Sequence, residues 1–315
     1  MPQERTVARN VSADSRRPVD LSIIIVTFRA YAALRRCLRA IVEMGAQVST
    51  EVIVADNDPD PAALKEIEIA FPSVTILAIP RNVGFGAAVN RAAAVAAGRY
   101  MLLLNPDVTL GPGVCDLIVR HADAHPEAGA VGPRLLDPAQ KVQGSARRFP
   151  DASTLLFGRQ SWLTRQFPNN RWSRWNILVD PGPQGPRRVD WVSGACVLVA
   201  TEAFQEVGGF DERFFLYWED ADMCKRMAHR GRSVWYLPQA EAVHIGGVST
   251  RQTPWRAIVA FHCSAFRYAR KHVRGVTRFL LLPLAGFLVV RAVVEMLGVM
   301  MDKLHGSRRG LALRD

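Results

Sequence analysis

The run YWEDADMCKRMAHRG crowds Glu219, Asp220 and Asp222 into what reads as the first turn of a helix, where the helix dipole stabilises negative charge. One carboxylate would suffice to cap that helix. A carboxylate flanked by two others holds its proton more tightly, which suits a general base, and capping is the alternative. In YMLLLNPDV, Asn105 and Asp107 follow a wholly apolar strand and Pro106 keeps the turn extended. Two oxygen-bearing side chains there could face one hard cation, and Mg2+ is commonly held by one or two carboxylates plus substrate phosphates. EVIVADND ends a buried strand on Asp56, Asn57 and Asp58, which could accept hydrogen bonds from a nucleoside base or ribose, or simply form a turn. In RNVGFGAAVNRAAA, Gly84 and Gly86 allow close backbone approach while Asn82 and Asn90 offer amides at the mouth of a helix, a place that suits a diphosphate. His244, in EAVHIGGVST, could complete a metal site or meet a phosphate as a neutral imidazole. Trp191, Ser193 and Gly194 in DWVSGAC could wall a sugar or acceptor, and Arg147 and Arg148 could bind phosphate or be solvated.

Such residues need a frame that gathers them. From Leu21 the chain alternates short β-branched runs (LSIIIVTF, EVIVADN, VTILAIP, YMLLLN, AGAVGPRLL) with amphipathic segments, the pattern of an α/β protein with a mostly parallel sheet. Thr27, Asp56 and Asn105 end three of the strands, and ligands of such sheets bind outside the carboxyl ends. The glycine-containing turn follows the third strand and lacks GxGxxG, which argues against a dinucleotide fold. From about Asp137 to Arg188 the sequence is rich in Pro, Gly, Arg and Trp without a period, as expected for a cover over a site. An apolar strand in VDWVSGACVLVA, a helix from about Thr201, a turn at Gly208–Gly209, a helix from Glu219 and a strand SVWYLP leading to His244 complete the expected domain, residues 21–250. Residues 1–20 and 303–315 read as tails.

The chain has 315 residues, 49% hydrophobic and 22% charged, ordinary values for a globular protein. Of a net charge of +11, seven Lys/Arg lie between Arg251 and Arg278, where there is no Asp or Glu. Next comes an apolar stretch, Phe279 to Met301, about the ~20 residues that span a bilayer, interrupted by Pro283, Arg291 and Glu295. Arg291 and Glu295, four apart, share one helix face, so residues 251–302 read as a basic and apolar helical region lying on a membrane. A spanning helix, or one that packs copies into a homo-oligomer, is the alternative. The basic residues adjoin an apolar helix and no nucleic-acid motif is present, which excludes a nucleic-acid partner. The five scattered cysteines, and a first twenty residues without an apolar run, predict reduced thiols and work on the cytoplasmic side.

Taken in order, VTF, ADND, RNVGFGAAVN, LLNPD, WVSGAC, GGFDERFFLYWEDADMCKR and the late His244 resemble a family 2 glycosyltransferase of the GT-A fold, from about Leu21 to Thr250. Within that family the chain is most similar to bacterial rhamnosyltransferases that extend lipid-linked cell-envelope glycans. The resemblance implies that Thr27 and Asp56 contact the nucleotide, that Asn82, Asn90 and Asn105 shape the donor site, and that Asp107 with His244 holds a Mg2+ or Mn2+ ion at the diphosphate. It further implies Asp220 as catalytic base, supported by Glu219, with Asp222 beside the acceptor. One departure stands out: the family's DxD is Asn105-Pro106-Asp107 here, leaving the metal a single carboxylate. The implied reaction is inverting transfer from a nucleotide sugar, dTDP-rhamnose by resemblance, to a polyprenyl-diphosphate-linked glycan, at the cytoplasmic face of the membrane. A nucleotidyltransferase would carry a Gly-rich basic loop after the first strand, where this chain has TFRAYAAL. A catalytically inactive nucleotide-sugar-binding scaffold is the remaining rival.

Overall fold

The computed structural model describes residues 18–150, 185–248 and 253–311 of the chain. Strands β1 (Leu21–Thr27), β2 (Thr50–Asn57), β3 (Thr75–Ile79) and β4 (Tyr100–Leu104) run parallel in the order β3-β2-β1-β4. The β-branched and Leu residues of β1 and β4 are buried on both faces, as a parallel sheet with helices on either side requires. The sheet continues through β11 (Cys196–Ala200), β6 (Ala128–Leu136), β12 (Ser233–His244) and β5 (Val108–Leu110). β11 is antiparallel to both β4 and β6, so the sheet is mixed but mostly parallel.

Alternation along β1 sends Leu21, Ile23 and Ile25 into one apolar cluster and Ile24 and Val26 into the other. Helices α1 (Tyr31–Met44), α2 (Pro61–Ala70) and α4 (Val114–Ala124) pack on the first. Helices α3 (Phe85–Ala93), α5 (Thr201–Glu206) and α6 (Glu219–His229) pack on the second. Helix α7 (Pro254–His272) joins that second layer through the buried Tyr268.

The expected loop region from Asp137 to Arg188 contains short strands after all: β7 (Val142–Gln143) pairs with β6, and β8 (Ala146–Arg147) pairs with β10 (Trp191–Val192). β9 (Arg187–Val189) pairs with β12, and residues 151–184 lie outside the described ones. The single strand read in VDWVSGACVLVA is therefore divided among β9, β10 and β11, with a break at Ser193–Ala195 that turns backbone amides away from the sheet. The five cysteines are all free thiols, as expected.

A short 3-10 turn (Gly275–Leu280) leads from α7 into α8 (Leu281–Leu311). Arg291 and Glu295 do not form a water-facing stripe. They pair with each other at 2.9 Å, Arg291 lies over the Phe261 ring of α7 at 5.6 Å, and Glu295 is 4.0 Å from His262. Desolvated charges seek partners, and α7 supplies a sheltered side for them. The outward face, carrying Leu282, Val289, Val290, Val293, Leu297 and Met301, is left exposed and wholly apolar. Thr277–Met301 is long and apolar enough to cross a membrane, with mean hydropathy 2.1.

Gly98, between α3 and β4, shows how tightly the sheet edge is built: a Cβ there would sit 2.6 Å from the Ser22 backbone nitrogen and 2.7 Å from the Tyr100 carbonyl oxygen. Neither neighbour is a flexible side-chain tip. Gly98→Ala is expected to lower unfolding free energy by about 2–4 kcal/mol, read from the midpoint of a urea titration at unchanged slope.

Candidate active site

Thr27 and Asp56 lie side by side at the carboxyl ends of β1 and β2, in register with each other. Both are fully buried, and Thr27 Oγ1 and Asp56 Oδ1 have no hydrogen-bond partner among the described residues. Buried polar atoms are normally satisfied, so this pair of orphans at a strand edge is a place prepared for a polar ligand. The other Asp56 oxygen accepts from the Tyr31 hydroxyl at 2.7 Å, and that hydroxyl also accepts from the Asp60 amide at 2.7 Å. Burial raises the Asp56 carboxyl to about 6, against the hydrogen bond from Tyr31. Tyr31 escaped the sequence reading because an aromatic opening a helix looks like core. The exposed-side neighbour Asp58 pairs with Arg29 at 2.8 Å.

The turn before α3 is built by two asparagines. Asn57 Nδ2 donates to Asn82 Oδ1 at 3.0 Å and to the Gly84 carbonyl at 3.1 Å, while its Oδ1 accepts from the Val83 amide. Asn82 Oδ1 also receives the Gly84 amide. Asn82 thus holds the turn. Gly84 has φ 94°, and a Cβ there would meet the Phe215 carbonyl oxygen at 2.5 Å, so only glycine lets the start of α3 dock on the segment leading to α6.

Asn90, expected at the donor, is elsewhere. Its amide is spent on Phe210, whose N–H donates to Oδ1 at 2.9 Å and whose carbonyl accepts from Nδ2 at 2.9 Å, and on Glu212. It lies beyond the first turn of α3, and only the first turn of a helix presents open N–H groups.

Asp107 follows β4 and enters β5, whose antiparallel pairing with β12 aligns Val108 with His244. His244 Nε2 lies 3.5 Å from Asp107 Oδ1. Burial would raise Asp107, but the hydrogen bond and charge of His244, with the Val248 amide, outweigh it and bring the carboxyl below its ordinary value. Gln143 on β7 clamps the histidine twice: its Nε2 donates to the His244 carbonyl at 2.7 Å and its Oε1 meets Nδ1 at 2.9 Å. With Nδ1 held by Gln143, Nε2 and the Asp107 carboxylate face one another, a nitrogen and an oxygen that can ligate one divalent cation. Among the described residues no cluster of three or more His, Cys, Asp or Glu gathers around one point, so an ion here would take its other ligands from substrate or water. Asn105 is anchored at the end of β4 by its amide, which donates to the Ala195 carbonyl at 2.9 Å. Gln143 lay in the stretch without readable period, where no sequence signal marked it.

The three acidic residues of α6 have three different surroundings. Asp220 Oδ2 accepts from the Gly194 amide at 3.0 Å and Oδ1 from the Ala221 amide at 2.8 Å. Burial raises its proton affinity, while those amides and the charge of Arg147 oppose the rise without cancelling it. Glu219, 6% exposed, is pushed well above its ordinary range by burial and by the adjacent Asp220.

Asp222 corrects the expectation of an acceptor contact. It is fully buried and faces α7, accepting from Arg226 (2.7 Å), Lys271 (2.9 Å) and His272 (2.8 Å). Burial alone would raise it, yet these partners bring it below its ordinary value. Trp191 is buried with Nε1 donating to the Arg148 carbonyl, and the Ser193 amide donates to the Ser145 carbonyl, so both shape the wall from which Gly194 reaches Asp220. Tyr217 and Trp218, just before α6, both have left-handed backbones (φ 66° and 70°), a strain of about 1–3 kcal/mol each that functional sites commonly store. Trp218 packs on Tyr268 of α7 at 5.3 Å, and its Nε1 is buried without a partner.

The sheet is mostly parallel, its carboxyl edge carries the unpartnered Thr27 and Asp56 oxygens, and the sequence profile described as glycosyl transferase family 2 matches residues 22–193. The chain belongs to that family. It is 34% identical over 257 residues to an N-acetylglucosaminyl-diphospho-decaprenol L-rhamnosyltransferase of Mycobacterium tuberculosis, covering 78% of this chain and 82% of the relative. It is 27% identical over 183 residues to rhamnosyltransferase WbbL of Escherichia coli (strain K12), covering 57% and 65%. The fold is similar to that of GalNAc-T7, solved with UDP, GalNAc and Mn2+ (TM-score 0.55, 14% identity, 73% of this chain and 44% of that one). It is also similar to S. aureus TarS (TM-score 0.51, 14% identity, 84% and 42%).

Asp222→Ala takes the shared acceptor from Arg226, Lys271 and His272 and is expected to cost about 3–5 kcal/mol of stability, whereas Asp220→Asn, which loses one of two amide acceptors, should cost about 1–3 kcal/mol; chemical denaturation of both variants checks this. Because the Asp222 pKa is depressed on folding, its contribution is present at neutral pH and declines as pH falls through the folded value.

Proposed function

We propose that this glycosyltransferase moves L-rhamnose from dTDP-rhamnose, with inversion, to an N-acetylglucosaminyl-diphospho-polyprenol at the cytoplasmic face of the membrane. The observation that carries the catalytic reading is Asp220, a carboxylate of raised proton affinity oriented by the Gly194 and Ala221 amides. The donor and acceptor follow from the 34% identical mycobacterial relative, whose name specifies both rhamnose and a diphospho-decaprenol acceptor.

Thr27 and Asp56 receive the nucleoside with their unpartnered oxygens. Asp220 takes the proton of an acceptor hydroxyl, whose oxygen bonds to the anomeric carbon as the bond to the nucleoside diphosphate breaks. The leaving electron pair goes to the diphosphate, and a single displacement inverts configuration once. Asp107 and His244 would hold a Mg2+ or Mn2+ ion, which when bound neutralises charge on the departing diphosphate.

The membrane contact is narrower than the basic stretch suggests. Lys271 is spent on Asp211 and Asp222, and Arg267 on the Arg213 carbonyl, while Arg251 lies outside the described residues. Arg270, Arg274 and Arg278 are exposed beside Phe279 and Leu282, an arrangement in which cations meet anionic headgroups while the apolar face of α8 enters the lipid. Free cysteines suit a cytoplasmic setting.

With a panel of nucleotide sugars and a short-chain lipid-diphosphate acceptor, turnover is expected from dTDP-rhamnose only when Mg2+ or Mn2+ is present. Asp220→Asn should lose about 10²–10⁴-fold in kcat with nucleotide binding retained; turnover near wild type would remove Asp220 from the mechanism. Protonation of Asp56 removes its acceptor, so dTDP affinity should weaken as pH falls below about 6. Calorimetry across that range should show the dependence in wild type and its disappearance in Asp56→Asn.

A further inference from the structure

The wall beside Asp220 carries a cation that neither the nucleotide edge nor the Asp107–His244 pair uses. Arg147 closes β8 directly opposite Trp191 on β10. Its guanidinium lies over the Trp191 ring, 4.9 Å from the centroid, and its Nε donates to the Gly144 carbonyl at 2.8 Å. Trp191 is itself fixed by its Nε1 bond to the Arg148 carbonyl and is 9% exposed, so the platform under the guanidinium is rigid. Three residues beyond Trp191, the Gly194 amide holds Asp220. The charge of Arg147 is near enough to Asp220 to favour its ionised form. One two-stranded ribbon therefore supplies both the anchor of the base and a stacked, pre-oriented guanidinium.

An acceptor of the form sugar–diphosphate–lipid carries its reacting hydroxyl and its anomeric phosphate on the same ring. A hydroxyl placed at Asp220 brings that phosphate within a ring's width, into the region of Arg147. A stacked guanidinium matches phosphate with a planar fork of donors and has little side-chain entropy left to lose. The donor's diphosphate has another partner, the ion that Asp107 and His244 would hold. We propose that Arg147, stacked on Trp191, binds the acceptor's diphosphate and so selects lipid-diphosphate sugars over phosphate-free ones. This assignment rests on the transferase reading above.

The test uses the full-length protein, dTDP-rhamnose and two acceptors: N-acetylglucosaminyl diphosphate on a short prenyl chain, and octyl N-acetylglucosaminide, which has no phosphate. The readout is the ratio of kcat/KM for the two acceptors in wild type, Arg147→Gln and Arg147→Lys. The preference for the diphosphate acceptor should fall about tenfold or more in Arg147→Gln, chiefly through the acceptor KM, with Arg147→Lys in between because it keeps the charge and loses the fork. Any effect of Arg147 on the proton affinity of Asp220 is common to both acceptors and cancels in the ratio. An unchanged ratio overturns the assignment, as does a loss that appears in the KM for dTDP-rhamnose, which would put Arg147 on the donor's diphosphate. If Arg147→Gln does not fold, the ratio in Arg147→Lys decides. Wild type that transfers to neither acceptor overturns the transferase reading, and this assignment with it.

Discussion

A carboxylate with no exposure to water is destabilising unless cations and hydrogen bonds surround it, and Asp222 meets that demand by drawing on two helices at once. Arg226 comes from its own helix, Lys271 and His272 from α7. Lys271 also reaches Asp211, in the loop that Asn90 holds from the other side. The position of α6, and with it the direction of Asp220, is therefore set by a charge cluster on the far side of the helix. The C-terminal region is part of this arrangement, because α7 supplies two of the cluster's three partners and packs Tyr268 against Trp218.

The short passage from Val142 to Arg147 links the two halves of the site. Gln143 fixes His244, the Ser145 carbonyl receives the Ser193 amide, and Arg147 stacks on Trp191. A six-residue strap thus touches the Asp107–His244 pair at one end and the wall beside Asp220 at the other. Small shifts in it would move both together, because packed elements transmit displacement instead of absorbing it.

Much of this was readable residue by residue. Thr27, Asp56 and Asn105 are polar residues that end apolar runs, and in a mostly parallel sheet that local signal points to the carboxyl edge. Asp220 was visible because three acidic residues in one first turn exceed what capping needs. Asn90 misled because an asparagine near a glycine turn looks the same whether its amide faces a ligand or ties down a loop 120 residues away. Asp222 misled because spacing along a helix fixes which face a side chain takes but not what stands opposite that face. Gln143 and Tyr31 carried no local mark, since their importance lies wholly in the partners that folding brings to them.

The sequence by itself determined the α/β alternation, the polar carboxyl ends of the strands, the acidic turn of α6 and the apolar stretch after Phe279, all of which are properties of neighbours along the chain. Only the tertiary structure decided which of the three carboxylates would be poised by backbone amides, which burial would push well above its ordinary proton affinity and which would be locked in an ion cluster. It also decided that Arg291 and Glu295 turn toward α7 and leave the outer face of α8 apolar. The physical reason is common to both cases. The protonation and orientation of a charged group depend on burial and on partners distant in sequence, and those exist only once the layers have packed.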